Sequence, residues 1–154
     1  MLINPPRTRR FLLTGAVCAA LVGAGCGEDE TEKYRDDFNE AAETFESELK
    51  EASATMRAAG QAKSREQYGQ GVEQLQSAGG DFQEKLEDLD PPDEAKDEQD
   101  DLDEAIDEFS DSVGSINAAV QADDEDAIRA QASVVQENGK AVDDAIKDVR
   151  EAVE

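Results

Sequence analysis

Apolar residues in four stretches of the chain recur at alternating spacings of three and four positions, separated by polar and mostly acidic residues. This alternation keeps the apolar side chains on one face of an α-helix. The pattern predicts four amphipathic helices, at about residues 30–59, 64–89, 92–122 and 124–153. One polar residue, Gln99, stands in the apolar series of the third helix.

The segments between these helices contain the residues that commonly begin and end helices. Ser64 is suited to cap the second helix, and Gln67 three residues later completes the sequence of a capping box. Pro91 and Pro92 end that helix, and Pro92 is suited to be the first residue of the third. Asp124 is suited to cap the fourth helix. Because short connections make neighbouring helices antiparallel, we expect an all-α, up-down-up-down four-helix bundle.

Large residues of one predicted helix fall opposite glycines of the helix that follows it, which suggests how the core is filled. Folding the first pair of helices about residues 61–62 brings Phe45 opposite Gly79. Folding the last pair about residue 123 brings Phe109 opposite Gly139. A second interpretation of Gly79 and Gly80 is a kink or hinge in the second helix.

The first 25 residues differ from the rest of the chain in charge and hydropathy. Arg7, Arg9 and Arg10 precede an apolar run, residues 11–24, after which the chain becomes acidic. A membrane-spanning helix needs about 20 apolar residues, so this run is short for one and has the length of a signal peptide's apolar region. We expect residues 1–25 to be a cleaved signal peptide. Residues 8–12 also resemble a twin-arginine export signal, and general secretory export is the alternative.

Ala24, Gly25 and Cys26 resemble the last three positions of a bacterial lipobox, with Gly23 where that pattern prefers leucine. The resemblance implies cleavage between Gly25 and Cys26 and a diacylglyceryl group on the Cys26 thiol. Residues 26–31 would then be a lipid-anchored tether, and residues 32–154 the bundle. The alternative is cleavage at another small residue, which would release a soluble protein with one free thiol.

The predicted mature chain is strongly acidic. Three of the 15 basic residues lie in the signal peptide, whereas all 39 acidic residues follow it. The mature chain therefore has 12 basic and 39 acidic residues and a net charge of −27. Such a charge argues against nucleic acid as a partner and against electrostatic docking on anionic lipid. It agrees either with a solvated surface adapted to salt or with the attraction of cations.

Leu, Ile, Val and Phe make up 21 of the 129 mature residues. With this net charge, so low a content also falls in the range of disordered chains. Helical periodicity favours folding, and a largely disordered acidic chain is the alternative.

The residue types needed for common catalytic and metal sites are missing. The chain contains no histidine, which excludes a Ser-His-Asp triad and the Glu-x-x-His pairs of di-iron bundles. Met56, the one methionine of the mature chain, belongs to an apolar series and is expected in the core. The acidic run at 97–104 lacks the glycine and the spacing of a calcium loop. We expect no enzyme activity, no cofactor and no metal.

The aromatic residues after residue 27 allow two interpretations. All of them fall in the apolar series, which favours core packing, but they are also suited to line a small-molecule pocket between helices. These residues are Tyr34, Phe38, Phe45, Tyr68, Phe82 and Phe109.

Together these features predict a lipoprotein anchored to the extracytoplasmic face of the cell membrane through Cys26. We expect it to act as a non-catalytic binding or scaffolding module of the cell envelope, with an envelope protein as its partner. The alternative function is a receptor for a small ligand or cation, held in or on the bundle. The oligomeric state is open, because long apolar series also suit a coiled coil between two copies.

Overall fold

The computed structural model describes residues 27–154, with side chains from Glu30 onward. Over this range the chain forms the four-helix bundle that the periodicity predicts. The helices are α1 (Gly27–Ala62), α2 (Arg65–Glu87), α3 (Lys96–Gln121) and α4 (Glu125–Ala152). A 3₁₀ turn, Asp93–Ala95, precedes α3.

The turns after α1 and after α3 share one hydrogen-bonding pattern. Lys63 and Asp123 each adopt left-handed backbone geometry, with φ of 55° and 63°. The next N–H then reaches back into the helix, from Ser64 to the Ala59 carbonyl at 2.9 Å and from Asp124 to the Ala119 carbonyl at 3.1 Å. This is the Schellman arrangement, which satisfies carbonyls that a helix end leaves without partners.

In both turns the residue that closes one helix also caps the next. The Ser64 hydroxyl accepts a hydrogen bond from the Gln67 N–H at 3.3 Å, and the Asp124 carboxylate accepts one from the Ala127 N–H at 2.9 Å. Both predicted caps are therefore confirmed. The reciprocal half of the predicted capping box is not formed, because the Ser64 N–H is already bonded to Ala59.

The two helical hairpins repeat one another at an interval of 60 residues. This interval separates the left-handed residues Lys63 and Asp123, and also the caps that follow them, Ser64 and Asp124. It separates Gly79 from Gly139 as well. The core positions of α2 and α4 also correspond, as with Phe82 and Val142, which are both buried. The bundle is thus two similar hairpins joined by the connection at 88–95.

Two predicted helix starts need correction. Pro92 does not begin the third helix, because it precedes the 3₁₀ turn in extended geometry and α3 starts at Lys96. The first helix, expected from about residue 30, spans Gly27–Ala62, so the described part of the expected tether, residues 27–31, is helical. Acidic residues such as Glu30 favour a helical start there, since they interact well with the positive end of the helix dipole.

Phenylalanine side chains from three helices form the centre of the core. The rings of Phe45 and Phe82 stack with centroids 4.5 Å apart, and the Phe109 ring meets Phe45 edge-on at 6.1 Å. A Cβ atom at Gly139 would lie 3.6 Å from the Phe109 ring, so the predicted contact between these two residues is confirmed. The expected pairing of Phe45 with Gly79 is wrong, since a Cβ atom at Gly79 would first meet Ser110 Oγ at 3.2 Å and the Phe109 ring at 3.7 Å.

The four helices do not pack equally tightly around this core. α1 packs along α2, α3 packs along α4, and the two hairpins meet mainly through α2 and α3. α1 and α4 scarcely touch, although Arg150 of α4 binds Glu46 of α1 at 2.9 Å. We call the end of the bundle with Lys63 and Asp123 the turn end, and the end with residues 88–95 the linker end.

Two glycines of α2 give a matched test of this packing. A Cβ at Gly71 would collide with Met56 Cγ and lie 3.3 Å from the Ala52 carbonyl oxygen, whereas one at Gly80 would meet nothing within 4 Å. We expect Gly71→Ala to destabilise the fold by about 1–3 kcal/mol through overpacking. Gly80→Ala should stabilise it by about 0.5–1 kcal/mol, because alanine loses less backbone entropy in a helix.

Thermal and urea unfolding followed by circular dichroism would measure both changes. The same sign for the two variants would contradict the close approach of α1 and α2 at Gly71.

Candidate functional site

The predicted lipidation site, Cys26, and the predicted cleavage junction between Gly25 and Cys26 lie outside the described residues, as does the predicted signal peptide, 1–25. What the structure adds is the position of the next residue, because Gly27 is the first residue of α1. Among the described residues, no helix is both long enough and apolar enough to cross a membrane.

A buried hydrogen-bond network joins three helices at the linker end. The Tyr34 hydroxyl of α1 donates to Oε1 of Gln99 on α3 at 2.6 Å. Nε2 of Gln99 in turn donates to the Leu86 carbonyl near the end of α2, at 3.4 Å. Gln99, the polar residue in an apolar series, is thus buried with both ends of its amide bonded.

The surroundings of this network hold its tyrosine in the protonated form. Burial, and then the nearby charge of Asp103, raise the pKa of Tyr34 to about 12, so its hydroxyl keeps its proton at neutral pH. Burial also raises the pKa of Asp103, and the carboxylates of Asp100, Asp107 and Glu87 raise it further.

The aromatic side chains fill the core. Phe38, Phe45, Phe82 and Phe109 are buried and Tyr68 is half-buried. The rings of Phe45, Phe82 and Phe109 pack directly against one another, which confirms their place in the core. Among residues 27–154, no group of three or more Asp, Glu, His or Cys side chains is arranged to hold a metal ion.

A groove open to solvent separates α1 from α4. Its floor is formed by Leu75 of α2 and Phe109 of α3. It is bounded by residues 46–57, which we call the α1 lip, and by residues 132–143, the α4 lip. Its volume of about 1370 Å³ exceeds the roughly 300–1000 Å³ of typical small-ligand pockets. An open groove of this size fits an extended surface better than an enclosed small molecule.

The lips of the groove expose apolar side chains that the periodicity assigns to the core. Leu49 and Met56 on the α1 lip are only half-buried, and so is Ala132 on the α4 lip. Met56 is therefore at the rim of the core and not inside it as expected. These side chains remain partly exposed because α4 does not close against this part of α1.

Charged side chains of opposite sign stand on the two lips. Lys50 and Arg57 lie on the α1 lip, and Glu137 and Asp143 on the α4 lip. All four are exposed, and none forms an ion pair within 4.0 Å with another described residue. Among the residues that line the groove, the α1 lip thus offers two unpaired positive charges and the α4 lip two unpaired negative ones. Glu48 and Glu51 lie within residues 46–57 but do not line the groove.

The remaining charged groups of the groove already have partners. Glu46 binds Arg150 at 2.9 Å, and Lys140 pairs with Asp144. The groove and its charges could not be predicted from the sequence. Periodicity shows which face of a helix is apolar, but it does not show how far apart two helices lie. One signal was present in the sequence, since residues 52–65 and 127–136 contain no acidic residue.

A family model for a domain of unknown function, DUF7018, matches residues 30–145. The chain belongs to the DUF7018 family. The match begins near the start of α1 and extends into α4, so it spans both hairpins and both lips of the groove. No curated protein and no solved structure was found to match the chain.

Charge is unevenly distributed along this DUF7018 domain. Residues 52–72 and 112–136, at the turn end, carry four basic and five acidic residues, a net charge of −1. The other residues from 27 onward carry eight basic and 34 acidic ones, a net charge of −26. Depletion of charge is typical of the core of protein interfaces, so the turn end is the better candidate for contact with another protein.

The Tyr34–Gln99 hydrogen bond can be tested by removing one partner and then both. Tyr34→Phe leaves Gln99 Oε1 buried without a donor, and we expect a loss of about 1–3 kcal/mol in unfolding free energy. Adding Gln99→Met should restore much of this loss, because the two apolar side chains leave no unsatisfied group and the Leu86 carbonyl still accepts from the Leu89 N–H at 3.0 Å. Unfolding in urea measures both, and a harmless Tyr34→Phe would show that the bond contributes nothing.

The same variant should change the alkaline limit of stability. The pKa of Tyr34 is about 12 in the folded chain and about 10 when it is exposed in the unfolded chain. The contribution of Tyr34 to the stability of the fold is therefore complete below pH 10 and is lost as the pH rises towards 12. As the pH rises between these limits, we expect the melting temperature of the Tyr34→Phe variant to fall less steeply than that of the wild type.

Proposed function

We propose that the protein is a lipoprotein held on the extracytoplasmic face of the cell membrane through Cys26, where it acts as a non-catalytic binding module of the cell envelope. The observation that carries the proposal is the order of segments at the start of the chain. A basic segment, an apolar run and Ala24-Gly25-Cys26 are followed without a gap by a helix that begins at Gly27.

The position of α1 makes an anchor at Cys26 useful for presenting the domain. α1 has 36 residues and is therefore about 54 Å long at 1.5 Å per residue. An acylated Cys26 would hold the linker end next to the membrane, and this end belongs to the part of the domain with a net charge of −26. The turn end, which is nearly neutral, would then be the part farthest from the lipid and the most accessible to a partner.

A binding role also agrees with the chemistry of the described residues. The buried Tyr34–Gln99 pair is fully hydrogen-bonded, the aromatic rings fill the core, and the charged residues of the groove are exposed. None of these arrangements combines an activated nucleophile with a base, as covalent catalysis requires. The filled core also gives no support for a small-ligand receptor.

The intact mass of the protein from the membrane fraction of its native host tests the anchor. We expect the mass of residues 26–154 plus a diacylglyceryl group, with or without a further acyl chain on the new amino terminus. Two lipid chains should retain the protein in the membrane. Cys26→Ala should lack the added mass and leave the membrane fraction. An unmodified wild-type chain in the medium would refute the anchor.

Photo-crosslinking in cells tests the binding role independently of the anchor. A photoreactive residue in place of Gln61, which is exposed at the turn end, should capture a defined envelope protein. The matched control replaces Asp93, which is exposed at the linker end. Equal capture of abundant bystander proteins from both positions would count against a specific partner at the turn end.

A further inference from the structure

The α1–α4 groove leaves unfinished a contact that a four-helix bundle normally makes. α1 and α4 are neighbours in the bundle, yet they leave between them a groove whose floor is formed by the buried side chains of Leu75 and Phe109. Leu49 and Met56 on the α1 lip are held half-exposed for the same reason. Covering these side chains would remove apolar surface from water, which favours association.

The charges on the lips indicate what covers the groove. The two free positive charges of the α1 lip, Lys50 and Arg57, complement the two free negative charges of the α4 lip, Glu137 and Asp143. Burial and then the nearby carboxylates of Glu46 and Asp144 raise the pKa of Asp143 by more than Lys140 lowers it, so this acid would gain from a further cation beside it. A surface that is positive on one side and negative on the other is complementary to itself.

The level of these residues along the bundle is set by Arg150. This α4 side chain bonds Asn39 Oδ1 at 3.0 Å and Glu46 Oε1 at 2.9 Å on α1. From that point both helices advance about 1.5 Å per residue towards the turn end, in opposite chain directions. Lys50 therefore lies near the level of Asp143, and Arg57 near the level of Glu137.

We propose that the α1–α4 groove binds a second copy of this chain, with the α1 lip of each copy against the α4 lip of the other. A two-fold axis parallel to the helices produces this contact, because every residue then meets one at its own level and each ion pair occurs twice. The same axis keeps residue 27 of both copies at the same end, which suits two chains that leave one membrane.

A second copy fits this surface better than a lipid does. An acyl chain in so open a groove would keep much of its surface in water, whereas ligand sites bury about 70–90% of their ligand. Charge also limits where two copies can meet. Over most of the linker end their acidic surfaces repel, but the groove extends into the acid-poor segments 52–65 and 127–136.

Charge reversal on one lip at a time tests the proposal. Full chains with two different C-terminal tags are expressed together in the native membrane, solubilised in detergent, and captured through one tag. Wild-type chains should be recovered together. When both chains carry Lys50→Asp, or both carry Asp143→Lys, two ion pairs become like-charge pairs, and we expect recovery to fall about tenfold.

The decisive sample combines a Lys50→Asp chain with an Asp143→Lys chain. Reversed charges then meet across the contact and the wild-type pair remains on the other side, so recovery should return to near the wild-type level. A groove that closed within one molecule would give no such rescue. Lys147→Asp, an equal charge change at an exposed site of α4 outside the groove, should leave recovery unchanged.

Each other result overturns the proposal. Wild-type chains that are not recovered together show that no copy occupies the groove. Recovery that resists both reversals places the contact on a different surface. Losses that the mixed sample does not repair mean that the charges act within one molecule. Circular dichroism of each variant separates these results from a loss of folding.

Discussion

Electrostatic self-repulsion is the constraint under which this domain folds. With 39 acidic residues, the helices would separate if their inner faces did not hold them together. Ion pairs do little of this, because most of them are exposed and join neighbouring residues of one helix. Cohesion comes from a few large buried rings, led by Phe45, Phe82 and Phe109, and from small residues that let α1 and α2 approach closely.

Because charge is unevenly distributed, self-repulsion differs along the bundle, and this difference affects where a partner can bind. Outside the turn end, where the net charge is −26, the Tyr34–Gln99 bond and the bonds of Arg150 help to hold the helices together. The turn end faces little repulsion, and the groove between α1 and α4 extends into it at residues 53–57 and 132–136. A nearly neutral surface with partly exposed apolar residues is also one on which an acidic protein can accept a partner.

The features of the fold that depend on local sequence could be predicted, and those that depend on helix rotation and separation could not. Periodicity and turn residues identified the four helices and the caps Ser64 and Asp124. Counting outward from a turn placed Phe109 beside Gly139 but gave Phe45 the wrong neighbour, because counting fixes the level of a residue and not the direction in which its helix faces. The groove escaped prediction for a similar reason, since Met56 has the same spacing as residues that are fully buried.

The repeat of 60 residues has a consequence for how the bundle assembles. Each hairpin has its own Schellman turn and cap, so its two helices pair through contacts close in sequence, which generally fold fast. Docking one hairpin onto the other resembles the association of two separate molecules, yet the short connection at 88–95 keeps them together at an effective concentration of about millimolar or above. Folding of the monomer is therefore independent of protein concentration, although its architecture is that of two subunits fused end to end.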